Sequence, residues 1–332
     1  MNAKRSHLRH AAWLALVVVA SCVGARTYEQ TYLRASDNWQ FRARYPEADH
    51  LFNGFDYGHA ILSETLIRHP DDGPQRLEGP VYRRVTCEVL RHAPSVPLEE
   101  RAVGPTYTTN YPEAVATFEW AHMLHRQVYD IIATYPLASE EREARMRDAL
   151  RYYRSRPDLA LSSYPKSMEL MEGQPYSLTF RHAAPKFNGL IWSYHWLQMA
   201  LYDALLDAPD RSTREATVAR DVELFRRMTY EDGRYAPAQM PMSPAVAPIF
   251  TRNYPELAAI FDNLHSLHDV VSDVLASPSV TNGGKRAAIL LALSRYRDST
   301  SFIASREDWL SMSSEMGGVD TTRLISAVSN CR

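Results

Sequence analysis

Two stretches of the chain, Asn110–Asp130 (NYPEAVATFEWAHMLHRQVYD) and Asn253–Asp273 (NYPELAAIFDNLHSLHDVVSD), restate one another at an offset of 143 residues. Between positions 108–133 and 251–276 the register keeps 13 of 26 residues: Thr108, Asn110, Tyr111, Pro112, Glu113, Ala116, Phe118, His122, Leu124, His125, Val128, Asp130 and Ala133. Chance alone would keep about one or two, so the chain carries a tandem duplication. The same offset pairs Val103 and Pro105 with Val246 and Pro248, and Ala149, Leu150, Tyr153 and Arg154 with Ala292, Leu293, Tyr296 and Arg297. A fold that accepts one unit twice is the consequence.

A fainter echo precedes each copy. Phe52-Asn53-Gly54 returns as Phe187-Asn188-Gly189, and each triplet opens an apolar, aromatic run that ends in a Pro-Asp turn. Aligning those turns at an offset of 139, Pro70 with Pro209, sets Glu64 against Asp203. An offset of 136 instead sets His59 against His195, and the sequence leaves both registers open.

Periodicity assigns the elements. Phe118, Leu124, Val128 and Ile132, and Phe261, Leu267, Val271 and Leu275, recur at helical spacings, which predicts a long helix in each copy. Asn110 with Glu113, and Asn253 with Glu256, have capping-box spacing, which starts both helices at the asparagine. The runs after the FNG triplets read as buried helices, and further helices are expected at about 139–154, 211–229 and 284–298. Residues 81–90 fit either a helix or an edge strand. The expected fold is all-α, a helical bundle built from two tandem repeats with pseudo-twofold symmetry. Repeat 1 spans 47–159 and repeat 2 spans 187–305, joined by a Met- and Tyr-containing linker at 160–186. A tail at 306–332 follows, read as loosely packed from Ser311 onward.

The N-terminus speaks to location. Lys4, Arg5 and Arg9 precede a short apolar run, Ala11–Ala20, that ends in Val19-Ala20-Ser21-Cys22. This resembles the lipobox of bacterial lipoproteins, with residues 1–21 as the signal peptide, Cys22 as the lipidated residue and 22–46 as a tether. The resemblance implies a lipid anchor in the cell envelope. Val23 stands where an aspartate would resemble an inner-membrane retention signal, which points to the outer membrane, facing the periplasm. A net charge of −2 with mixed signs gives no nucleic-acid footprint. Cys87 and Cys331, the other two cysteines, could form one disulfide in such an oxidising compartment.

Each copy carries acid-x-x-His-x-x-His: Glu119, His122, His125 and Asp262, His265, His268. Residues three apart share a helix face, so an acid and a histidine can reach one ion, and their oxygen and nitrogen donors suit iron, manganese or zinc. With Glu64 and Asp203 added, the chain order is acid, acid-x-x-His, acid, acid-x-x-His, which resembles the ferritin-like di-iron and di-manganese carboxylate proteins. That resemblance implies Glu64, Glu119, His122, Asp203, Asp262 and His265 as metal ligands, iron or manganese as cofactor, and redox or oxygen chemistry. His125 and His268 have no place in it. They are either supporting groups or ligands in a histidine-richer site with His59 and His195, and Asp130 and Asp273 are natural hydrogen-bond partners. Two other readings stand beside it. A haem held between paired histidines would use Trp192, Tyr194, Trp196 and Met199 as an apolar slot. A non-catalytic scaffold or accessory subunit of an envelope complex would use the repeated acids and histidines only to hold the copies together. Phosphate-loop, Cys-x-x-Cys and Gly-x-Ser-x-Gly motifs do not occur.

Overall fold

A computed structural model describes residues 39–332 except 98–99, 209, 317–318, 330 and 332; the lipobox and its Cys22 lie outside the described residues. The described chain is helical, with one isolated antiparallel bridge between Lys166 and Ile303. Four long helices form its centre: α1 (Pro46–Arg68), α2 (Pro112–Ala133), α3 (Pro185–Leu206) and α4 (Pro255–Ala276). The backbones of α1 and α2 each approach both α3 and α4. Each repeat therefore lies against both long helices of the other, and the two are interleaved rather than set side by side.

Helices Ser139–Tyr153, Arg211–Met228 and Asn282–Arg297 pack outside this centre, against α2, α3 and α4 respectively. Their mixed surfaces suit one-sided packing. The α3 helix, apolar on every side, is buried almost throughout its length. On α3 the side chain missing from Gly189 makes room for the neighbouring loop, since a Cβ there would stand 2.9 Å from that of Ala236.

Several local expectations change. Neither capping box forms. Asn110 and Asn253 instead close short helices, Pro105–Asn110 and Pro248–Asn253. The long helices begin one step later, at Pro112 and Pro255, with Tyr111 and Tyr254 in non-helical backbone before them. Proline disfavours helical geometry in the residue before it and loses nothing at the first helical position, where its missing N–H would be unmatched anyway. Residues 77–89 are helical, with two widened π-type turns flanking Tyr82–Arg84, so the edge-strand alternative falls. The tail is not loose from Ser311: helix Arg306–Met316 buries Trp309 and Ser313 against Asp262 and the Ser243–Val246 turn. The end of the tether is likewise folded, with Phe41 and Tyr45 in the core. Cys87 and Cys331 are joined as a disulfide, 5.4 Å apart at Cα. Among the described residues, no helix is long and apolar enough to cross a membrane.

Candidate metal centre

Six of the twelve histidines are buried where the four long helices meet: His59 on α1, His122 and His125 on α2, His195 on α3, and His265 and His268 on α4. Their rings form a continuous file. His125 lies 5.6 Å from His265 between centroids, His265 4.0 Å from His195, His195 5.7 Å from His59, His59 3.9 Å from His268, and His268 5.3 Å from His122. The sequence repeat explains part of this, because helical three-residue spacing turns both histidines of α2 and both of α4 inward.

Among the described residues, His59, His195 and His268 are the one group of three metal-ligating side chains whose ligand atoms all stand within 4.8 Å of one another. All six ring nitrogens of these three residues are buried without a hydrogen-bond partner. An unmet buried donor or acceptor costs about 1–3 kcal/mol. Six of them would consume a sum comparable with the whole stability of a domain, about 5–15 kcal/mol. A group that bonds several of these nitrogens at once removes much of that cost. Burial, reinforced by the neighbouring imidazoles, holds His59, His195 and His268 well below the ordinary histidine pKa, and burial takes His265 to about 3. These rings are neutral at pH 7, the form that ligates metals.

The two ends of the file differ. At one end His265 Nε2 meets Gln198 Oε1 at 3.0 Å, while His125 Nδ1 bonds the Tyr202 hydroxyl and Tyr202 stacks on Tyr129. At the other, His122 Nδ1 stands 3.6 Å from Asp56 Oδ1, and the second oxygen of Asp56 accepts from Arg126 Nη2 at 2.9 Å. Arg126 also donates to Asn53 Oδ1 at 2.8 Å and lies over the Phe52 ring. Burial, then the charges of Glu119 and Asp56, push the Glu100 carboxyl well above its ordinary range.

Three of the four carboxylates expected from the ferritin-like resemblance, Glu64, Asp203 and Asp262, hold N–H and O–H groups outside the histidine file. Glu64 Oε2 accepts the backbone N–H groups of Thr106 and Tyr107 at 2.9 and 3.0 Å, and Asp203 accepts those of Ile249 and Phe250 at 3.0 and 2.8 Å. Each carboxylate thus caps the short helix that leads into the next long one, where unmatched N–H groups and the helix dipole both favour an anion. Asp262 accepts from Ser243 N and Oγ at 2.8 and 2.7 Å and from Trp309 Nε1 at 2.8 Å. Glu119 is half-buried beside Glu100. Of the six expected ligands, only His122 and His265 stand in the histidine file. Asp130 accepts from Phe41 N, and Asp273 from Leu178 N and Phe180 N, so they serve incoming backbone rather than the histidines.

The aromatic run read as lining a haem is packed in the core. His195 and His265, both in the second copy, are in face contact, inclined by only 9°. Trp192 donates to Asp269 at 2.9 Å, and Tyr194 packs against Phe55 and Phe225, so these side chains are core. Asp56 is the residue that sequence reasoning missed. It stands three positions before His59, the same acid-x-x-His spacing, but Trp192 occupies its place in the second copy at the offset that pairs the histidines, so a search for repeated patterns passes over it.

No protein-family model matches the chain, and neither a curated protein nor a solved structure does.

Proposed function

We propose that this chain is an envelope-anchored helical metalloprotein that holds a transition-metal ion on His59, His195 and His268. The observation that carries the reading is the convergence of three neutral imidazoles, from α1, α3 and α4, with every ring nitrogen buried and unbonded. An all-imidazole set suits iron, copper, zinc or nickel, and the nitrogen donors favour these over manganese. Three protein ligands leave coordination positions open, where a redox-active metal would supply oxygen or peroxide chemistry. The chain's own part is to hold the ligands, with Phe55 and Phe118 against the rings of His59 and His268, and to keep bulk water from the site. The lipid anchor at Cys22 belongs to the same reading and rests on the sequence.

We read the two copies as related by a pseudo-twofold axis through this centre. Reciprocal contacts support that view: His125 packs on Phe261 at 3.6 Å and its counterpart His268 on Phe118 at 4.0 Å. The scaffold reading is favoured by the same contacts, since buried neutral histidines can serve as aromatic filling. Elemental analysis of the purified full chain separates the two. Bound iron, copper or zinc, lost in a folded His195→Gln variant, supports the metal site. A metal-free chain whose melting temperature is unmoved by these ions leaves the scaffold, and a Soret band would restore haem.

A further inference from the structure

Apart from the histidine file, a cleft of about 820 Å3 runs between α3, the outer helix Arg211–Met228 and the short helices Ser243–Val246 and Pro248–Asn253. Pockets for small molecules span about 300–1,000 Å3 and are mostly apolar, with a few polar groups that fix orientation. Here Trp196 and Ala200 of α3, Leu224 of the outer helix and Ile249 supply apolar wall. Three carboxylates, Asp203, Asp207 and Asp221, face one cation, Arg220. The three acids are not equivalent. Asp203 spends both oxygens on backbone N–H groups, and Asp207 is exposed. Asp221 is only 3% exposed yet lines the cleft, and Arg220 donates to its Oδ1 alone. The Arg220 side chain is itself 67% exposed, so this pair is closed on one side only and leaves Oδ2 to the cleft. A carboxylate accepts about four hydrogen bonds, and a buried ion that is incompletely paired is costly.

We propose that this cleft binds a small protonated amine with an apolar body, its ammonium donating to Asp221 Oδ2 and its body lying along Trp196 and Leu224. The charge balance of the walls selects the sign, because carboxylates outnumber guanidinium and draw cations into a low-dielectric cleft. Trp196 adds to this, since the indole face attracts a cation better than any other side-chain ring. An anion would meet three acids. A purely apolar ligand would strip water from Asp221 Oδ2 and replace it with nothing, at a cost of about 1–3 kcal/mol. An ammonium on an apolar body satisfies both halves of the site. None of this depends on the three-histidine ion.

The test titrates the full chain at pH 8 with 2-phenylethylammonium by calorimetry, using 2-phenylethanol and phenylacetate as the neutral and anionic probes of the same ring. The expected result is one ammonium per chain, with the alcohol about tenfold weaker, as befits the loss of a hydrogen bond to a charged group, and phenylacetate silent. Asp221→Asn, with folding verified by circular dichroism, should bring the ammonium down to the affinity of the alcohol. Thr217→Arg decides the matter if Asp221→Asn fails to fold. Thr217 is a half-buried residue of the cleft wall one helical turn before Asp221, so an arginine there sets a tethered cation against the same carboxylate and should abolish ammonium binding. Absence of binding by the ammonium at millimolar concentration overturns the proposal. So does equal affinity for the three probes, or ammonium binding that survives both Asp221→Asn and Thr217→Arg.

Discussion

At Asp221, on the outer helix Arg211–Met228, a buried carboxylate accepts from the neighbouring Arg220 guanidinium at 3.0 and 3.2 Å. Burial raises its pKa from 3.8 to about 6, against the opposing pull of Arg220. The folded chain therefore holds this proton more tightly than the unfolded chain does. The resulting stabilisation is complete below about pH 4 and is lost as pH rises through 6, a difference of up to about 3 kcal/mol. Asp221→Asn should consequently raise the melting temperature at pH 8 and leave it nearly unchanged at pH 4. Equal shifts at both pH values would show that the charge is not what burial penalises. The histidines are governed by the same physics with the opposite proton preference: burial favours their neutral form, so the ligand set is ready at neutral pH without losing protons.

At the scale of elements, the repeated acids act on helix ends. Glu64 and Asp203 hold the first N–H groups of Pro105–Asn110 and Pro248–Asn253, and those short helices aim α2 and α4 into the bundle. Glu64→Ala and Asp203→Ala should each lower stability by about 1–3 kcal/mol in urea unfolding, because two backbone donors lose a charged acceptor. Bound metal per folded chain should stay at the wild-type value in both. A loss of metal without a loss of stability would return these residues to the ligand role that their order in the chain suggested. The offset of 139 is informative here, since it aligns two carboxylates that do the same work. Sequence could not name that work: an acid facing inward from a helix looks the same whether an N–H or a cation meets it.

For the whole molecule, interleaving makes the repeats dependent on one another. The three-histidine ion would draw ligands from α1 of one copy and from α3 and α4 of the other, so binding should stabilise the entire fold. At metal concentrations a hundredfold above Kd the gain is about 2.7 kcal/mol, and His195→Gln should abolish the corresponding rise in melting temperature. The Cys87–Cys331 disulfide closes the chain over a separation of 244 residues. A loop of that length implies a stabilisation of roughly 2–5 kcal/mol, which urea unfolding with and without reductant would measure. Coincident curves would mean that the tail holds its place through contacts such as those of Trp309, Ser313 and Leu324, without help from the disulfide.

Legible in the residues alone are the helical class, the internal sequence repeat, the segments that form the long helices and the faces that carry histidine. These follow from local periodicity and from self-comparison, and neither needs to know what lies across the core. The partner of each polar group is set by how the helices pack. That packing sent Glu64, Asp203 and Asp262 to backbone and indole N–H groups, brought His59, His195 and His268 together from three helices, and placed unrepeated Asp56 beside His122. The reason is that a ligand set is a property of distances between helices, and those distances depend on how the two copies interleave, a relation that no pattern along one chain encodes.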